Sequence, residues 1–212
     1  MKALALIFSL LLLGGCAGGL SIDRQHPSAN HDSRVQWVVV HYTSTDVQHS
    51  LELLTRGGVS SHYLIGEAPA TIYQLVDENR RAWHAGDSQW RGRTWLNAST
   101  LGIELVNQGY ADTPAGRVWQ PYSEAQIDAL ILLLKDIVQR HHLPIDSIIG
   151  HSDIAPQRKV DPGPLFPWRR LADAGLIRWP DAAQVARQQA LFSQQLPAPE
   201  WFAEQLRQLG YA

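Results

Sequence analysis

Two histidines stand directly after apolar stretches of the chain. His41 follows VQWVVV, and His151 follows IDSIIG. Functional groups collect at strand ends in α/β sheets, so both positions favour a site. Two histidines are also two of the three protein ligands that a catalytic zinc site needs, with the fourth position left open for water. The pair therefore predicts a metal centre.

The spacing alone leaves the third ligand open. Cysteine is excluded, because Cys16 is the only one and belongs to the N-terminal apolar segment. The nearby carboxylates are Asp46, Asp153 and Asp161. Asp153 and Asp161 also fit a structural role, since aspartate commonly caps or opens a turn. The residues thus predict a carboxylate ligand without choosing among the three.

Two further residues suit hydrolysis at such a centre. Glu104 lies inside the apolar stretch LGIELVN, where a carboxylate is unfavourable unless it is paired or used. It fits the general base for a metal-activated water, or alternatively an edge strand that turns Glu104 towards solvent. Lys159 is a surface lysine by default, but a cation near the metal would stabilise the oxyanion formed when water attacks a carbonyl. These residue types favour metal-assisted hydrolysis of an amide or an ester.

The elements that must position these residues predict an α/β fold. Apolar runs indicate strands, and apolar residues at helical spacing after the capping-box pair Ser123 and Gln126 indicate a long helix. The alternation of the two predicts a mixed central β-sheet flanked by helices. Residues 80–95 are predicted to form a loop. The predicted strands are 35–40, 62–65, 71–76, 101–106 and 145–149, and the predicted helices are 47–55, 123–142 and 167–174.

The N-terminal segment MKALALIFSLLLLGGC is typical of a secretory signal. Lys2 precedes an apolar run that is too short to span a bilayer. The small residues before Cys16 resemble the bacterial lipobox, which predicts a signal peptide over 1–15, lipidation of Cys16 and a tether over 16–34. Ala17, in place of an aspartate, favours anchoring on the periplasmic side of the outer membrane. The alternative is an uncleaved apolar N-terminus.

Length and charge restrict the remaining classes. A chain of 212 residues fits one globular domain with a small addition. Its formal net charge of −2 argues against a nucleic-acid partner, which would favour a basic face. We expect a monomer.

Five stretches together resemble a known enzyme family. VVVHYT, SSHYLI, AWHAG, LGIELVN and GHSDIAPQRKVDPGPLFPW resemble, in this order and over 35–171, the type 2 family of N-acetylmuramoyl-L-alanine amidases. That family shares its fold with bacteriophage T7-type lysozyme amidases and peptidoglycan recognition proteins. The resemblance implies hydrolysis of the amide bond between N-acetylmuramic acid, or its anhydro form, and L-alanine of the stem peptide in peptidoglycan and muropeptides. The lipobox narrows the likeness to lipoprotein members.

The resemblance also implies a role for individual residues. It favours Asp161 over Asp153 as the third ligand. It implies that Glu104 activates or orients the water and that Lys159 steadies the oxyanion. The implied ligands of Zn²⁺ are His41, His151 and Asp161.

Other positions of the family pattern concern the substrate. Arg93 and Asn97, in RGRTWLN, match positions expected to contact the muropeptide. Trp83 and His84, in AWHAG, are typical of the family, and packing is as much expected for them as contact.

The catalytic domain is predicted over 35–180 and a helical extension over 181–212. The extension resembles the opening of a peptidoglycan-binding helical domain but is too short for a core of its own. We therefore expect it to pack on the catalytic domain. The expected anchors are Trp201, Phe202, Leu206 and Leu209.

Three alternatives compete with the amidase. The first is a non-catalytic peptidoglycan-binding module of the recognition-protein type, against which the presence of Asp161 argues. The second is a cytoplasmic amidase restricted to anhydro-muropeptides, against which the signal segment argues. The third is a zinc peptidase acting within the stem peptide, and the HExxH motif that would support it is absent.

Overall fold

The computed structural model describes residues 20–211. The predicted signal peptide and the predicted lipidation site Cys16 lie outside these residues. Within residues 20–211, the chain divides between Asp32 and Ser33 into two units. Residues 20–32 are exposed and contain no helix or strand, which suits the predicted tether. The second unit contains the sheet and also the C-terminal helices.

The second unit contains both strands and helices. The strands are β1 Trp37–Tyr42, β2 Tyr63–Ile65, β3 Ile72–Gln74, β4 Gln89–Trp90, β5 Arg93–Thr94, β6 Thr100–Leu105, β7 Tyr110–Thr113, β8 Gly116–Trp119 and β9 Ile148–Gly150. The helices are α1 Val47–Arg56, α2 Glu124–His141, α3 His151–Ile154, α4 Trp168–Asp173, α5 Ala182–Gln194 and α6 Pro199–Leu209, with a 3₁₀ turn at Leu96–Ala98.

The central sheet is mixed, as predicted. Its five strands lie in the order β3-β2-β6-β1-β9. Strand β1 is parallel to β6 and β9, and β2 is parallel to β6, whereas β3 is antiparallel to β2. Strand β1 is central and fully buried at Val38, Val39 and Val40, because both of its faces are covered.

Side-chain alternation assigns the two faces of the sheet. Val38 and Val40 pack in the core that includes helix α2, whereas Val39 packs in a second core on the other face. His41 therefore lies on the face of Val39. On β6 the same alternation places Leu101, Ile103 and Leu105 in the core that includes α2. The residues of β6 on the same face as His41 are therefore Thr100, Gly102 and Glu104.

Helix α2 matches its predicted pattern closely. The Ser123 hydroxyl accepts the Gln126 amide at 3.2 Å and caps the first turn. The helix ends at His141, where His142 adopts a left-handed φ of +53°. Its buried apolar side chains are Ile127, Leu130, Leu133, Leu134 and Ile137.

Two hairpins were not predicted. Strands β4 and β5 pair within the segment expected to be a loop, and Arg91 and Gly92 between them have φ of +47° and +77°. Such positive φ values match the twist of a two-residue hairpin turn. Strands β7 and β8 form a second hairpin. Both were missed because they are short and largely exposed, without a buried apolar run.

The C-terminal helices dock differently from the prediction. The four expected anchors are exposed, by 37% for Phe202 up to 59% for Leu209. Docking occurs instead just after α6. The Gly210 carbonyl accepts the Arg91 amide at 2.8 Å, and the Tyr211 ring packs on Trp90 with centroids 5.0 Å apart. Among residues 20–211, no helix combines the length and apolarity needed to cross a membrane.

Candidate metal centre and active site

The structure brings together three side chains from separate parts of the chain. His41 ends β1, His151 opens α3 directly after β9, and Asp161 lies in the following loop. The Nδ1 atoms of His41 and His151 are 2.9 Å apart, and Asp161 Oδ2 lies 3.1 Å from the first and 3.0 Å from the second. All three residues are buried. They form a group able to hold a metal ion.

The contacts of each imidazole on the side away from Asp161 indicate which ring nitrogen carries the proton. His151 Nε2 lies 3.2 Å from the Ala85 carbonyl, which only accepts, so this nitrogen carries the proton. His41 Nε2 lies 3.0 Å from His84 Nδ1. Burial, followed by the neighbouring His151, lowers the pKa of His41 to about 4, and burial also lowers the pKa of His84 well below its usual value. Both rings are therefore neutral at pH 7.

This arrangement fits a bound cation. With protons on the outer nitrogens, both Nδ1 atoms and the Asp161 oxygen direct lone pairs at one point, and no proton separates them. A cation removes that repulsion. Ligand atoms in a tetrahedral zinc site with bonds of about 2.0 Å are about 3.3 Å apart, close to the three edges seen. Two histidines and a carboxylate are also a ligand set that zinc accepts.

The other two candidate carboxylates serve as caps. Asp46 is exposed and accepts the His49 amide at 2.9 Å at the start of α1. Asp153 accepts the Gly150 amide at 2.7 Å through Oδ2 and the Tyr211 hydroxyl at 2.5 Å through Oδ1. Neither belongs to the group of His41.

Glu104 lies beside the three converging side chains. It pairs in register with His41 on the neighbouring strand, and β6 lies between β2 and β1, so the edge-strand alternative is wrong. Its side chain lines the cleft, while Oε2 is buried without a hydrogen-bond partner among residues 20–211. Burial and the charge of Asp161 raise the pKa of Glu104 to about 8, against the opposing effect of Lys159.

A cleft of about 840 Å³ opens over this group. Its volume suits a ligand of several rings or residues. Lys159 and Arg158 both line the cleft, and Arg158 also donates to the carbonyls of Ala85 and Asp87 at 2.9 and 2.7 Å. The apolar residues that line it include Leu53, Leu54, Val59, Trp83 and Val160.

The two residues predicted to contact substrate lie elsewhere. Arg93 is exposed on β5 and does not line the cleft. Asn97 is buried in the 3₁₀ turn, and its Oδ1 accepts the amides of His84 and Ala85 at 3.0 and 2.8 Å. The structure thus separates both from the metal group, and their contact with substrate stays a prediction.

Sequence reasoning left His84 without a role. The structure places it behind His41, with Nε2 3.2 Å from the Thr100 hydroxyl. Its only signal in the sequence is the match of AWHAG to the family pattern, which does not distinguish packing from contact.

Known proteins are similar to this chain in sequence. The N-acetylmuramoyl-L-alanine amidase family profile matches residues 31–164. The chain is 45% identical over 194 residues to the N-acetylmuramoyl-L-alanine amidase AmiD of Escherichia coli strain K12, covering 85% of this chain and 70% of that protein.

Solved structures agree with that match. AmiD from E. coli, in complex with anhydro-N-acetylmuramic acid-L-Ala-D-gamma-Glu-L-Lys, superposes with a TM-score of 0.79 at 42% identity, over 92% of this chain and 79% of that one. AmpDh3 from Pseudomonas aeruginosa, in complex with anhydromuramic pentapeptide, gives a TM-score of 0.82 at 37% identity, over 92% and 82%. The chain belongs to the N-acetylmuramoyl-L-alanine amidase family.

Proposed function

We propose that the chain hydrolyses the amide bond between N-acetylmuramic acid, or its anhydro form, and L-alanine of the stem peptide, with Zn²⁺ held by His41, His151 and Asp161. Family membership and the muropeptides bound by two similar structures support the substrate. The convergence of three buried ligand atoms beside the unpartnered carboxyl of Glu104 is the observation that carries the chemistry.

When bound, the zinc ion supplies Lewis acidity, which polarises the amide carbonyl and makes water more acidic. Glu104 accepts a proton from the water as its oxygen bonds to the carbonyl carbon. A carboxyl whose pKa lies near neutrality is suited to take up a proton and return it. Lys159 lowers that pKa, and a bound cation would lower it further, which favours the ionised form that a base requires.

Lys159 stabilises the negative charge that develops on the carbonyl oxygen. An ammonium group already placed in the cleft acts at the transition state, where the oxygen carries more charge than in the substrate. When the carbon–nitrogen bond breaks, the proton on Glu104 passes to the nitrogen of L-alanine. The products are a free lactyl carboxylate on the sugar and a stem peptide with a free amine.

Product analysis tests this proposal. Purified protein is incubated with intact sacculi and with anhydro-muropeptides, and the masses of the products are determined by mass spectrometry. Bound zinc is measured separately by elemental analysis. We expect one zinc ion per chain and release of peptides that begin with L-alanine. Binding of peptidoglycan without peptide release would support the recognition-type module instead, and cleavage within the peptide would support the peptidase.

The lipid anchor belongs to the same proposal. We infer that Cys16 is acylated and holds the monomeric enzyme on the periplasmic side of the outer membrane. The lipobox-like residues and the exposed segment 20–32 support this placement. Labelled palmitate should enter the full-length chain in cells and should not enter the C16S variant. Equal labelling of both chains would refute the assignment.

A further inference from the structure

We propose that Asn97 and His84 are positioning residues that determine which ring nitrogen of each histidine ligand is free to bind the metal. The inference rests on the metal site of the proposed function. It gives both residues a role that involves no contact with substrate. The segment concerned is His84–Ala85, which we call the orienting segment.

The orienting segment contacts both imidazoles at once. The Ala85 carbonyl accepts from His151 Nε2 at 3.2 Å, so the backbone of this segment holds one ligand. The His84 side chain meets His41 Nε2 at 3.0 Å and holds the other. A shift of this one segment would therefore turn two of the three ligands.

A chain of hydrogen bonds gives the His84 contact its direction. The Thr100 hydroxyl donates to the Leu96 carbonyl at 2.7 Å, so its oxygen is left to accept from His84 Nε2 at 3.2 Å. A neutral His84 that donates from Nε2 has a bare Nδ1, which accepts the proton of His41 Nε2. The Nδ1 atom of His41 is then left bare on the side of the metal.

Asn97 holds the backbone of the orienting segment. Its Oδ1 accepts the amides of His84 and Ala85 at 3.0 and 2.8 Å, and the side chain is buried. Asn97 lies in the same 3₁₀ turn as Leu96, whose carbonyl ends the chain from His41. One short turn thus fixes both the backbone and the side-chain contact of the segment.

Gly102 provides the space that His84 requires. A Cβ atom built at Gly102 would lie 2.5 Å from the His84 ring, which is closer than packed atoms allow. The ring therefore sits against the backbone of β6, next to Thr100 on the same face. The position of His84 is defined by packing as well as by hydrogen bonds.

The test measures metal affinity with a zinc chelator, independently of activity. Removing a partner that orients a metal ligand typically weakens metal binding by about 10–100-fold. We expect a loss of this size for N97A and for H84L. N97D keeps an oxygen acceptor for both amides, and H84N keeps an acceptor for His41, so each should recover most of the affinity.

Asn107 offers a matched control. It is also buried, and its Oδ1 accepts the Gly109 amide at 2.7 Å, in a loop that makes no hydrogen bond to the orienting segment among residues 20–211. N107A should lose stability and keep its zinc affinity within about threefold of the wild type, below the range for oriented ligands. A general loosening of the fold would instead weaken metal binding in N97A and N107A alike, which would overturn the proposal.

Nitrogen NMR of the metal-free protein gives a second readout. The wild type should show His41 and His151 protonated at Nε2, and H84L should lose that preference at His41 alone. Unchanged tautomers together with unchanged zinc affinity in N97A and H84L would overturn the positioning role. If the wild type and H151A bound zinc equally, the metal site itself would be wrong, so the two failures are distinguishable.

Discussion

Two buried carboxylates in this chain have opposite surroundings. Glu78 is surrounded by donors: it accepts from the Tyr63 hydroxyl at 2.7 Å, from Arg140 at 2.9 Å and from His141 at 2.8 Å. Asp161 instead lies 3.1 and 3.0 Å from the Nδ1 atoms of His41 and His151, for which we propose that the protons are on Nε2. The first group is complete without a ligand, whereas the proposed cation would complete the second. The direction of the donors thus distinguishes a structural carboxylate from one that could bind a metal.

The largest effect should come from removing one member of the proposed metal group of His41, His151 and Asp161. H151A removes one of the three lone pairs, so zinc binding and activity should be lost together. Metal content and muropeptide turnover measure this, with H49A, an exposed histidine on α1, as the control. Retention of full zinc in H151A would show that His151 does not belong to the centre.

Replacing Glu104 should separate chemistry from metal binding. E104Q keeps the shape of the side chain and removes the base, so zinc content should be unchanged while kcat falls by about 10²–10⁴-fold. The exposed Glu52 on α1 gives the control E52Q. Normal turnover by E104Q would show that Glu104 is not the general base.

The effect of Lys159 should be smaller and confined to the transition state. K159A should lower kcat by about 10²-fold with little change in KM, because the oxyanion forms only during the reaction. K135A, on the outer side of α2, is the matched control. A raised KM at unchanged kcat would reassign the lysine to substrate recognition.

Glu78 and its hydrogen-bond donors should contribute to the stability of the fold and should not affect catalysis. Burial tends to raise the pKa of Glu78, but hydrogen bonds from Arg140, Tyr63 and His141 outweigh it and lower the pKa to about 2. A lowered pKa in the folded state means stability that is present above about pH 4.5 and is lost as the pH falls towards about 2.

E78Q tests that dependence. It should lower the unfolding free energy by about 1–2 kcal/mol at pH 7, because Arg140 is partly screened by water. Urea unfolding of the metal-free protein at pH 7 and pH 3 measures the difference, which should shrink at the lower pH. A constant difference at both pH values would show that the Glu78 charge contributes nothing. Turnover at pH 7 should not change.

The sheet could be predicted from the sequence because its strands are buried apolar runs. The run that ends at Val40 indicates a strand covered on both faces, and β1 is that strand. The histidines at two strand ends were recognisable for the same reason. The hairpins β4–β5 and β7–β8 lack buried runs, so pattern reasoning had no signal for them.

The site was predictable only in part. Asp153 and Asp161 both fit a turn in the sequence, and they differ because the Asp153 side chain accepts the Gly150 amide. Asn97 looked like a polar contact residue, but its partners are amides of residues thirteen and twelve positions earlier. The apolar side chains of α6 were expected to anchor the extension, yet Gly210 and Tyr211 make the contacts. Such long-range pairings are set by tertiary packing, which local patterns do not encode.

The Asp153 carboxylate accepts hydrogen bonds from both the Tyr211 hydroxyl and the Gly150 amide. Gly150 directly precedes His151. Detachment of the chain after α6 would leave that carboxylate half paired, and the Gly150 amide would exchange with deuterium faster. The exchange rate of this single proton, next to the proposed ligand His151, therefore reports whether the segment after α6 is bound to the catalytic domain.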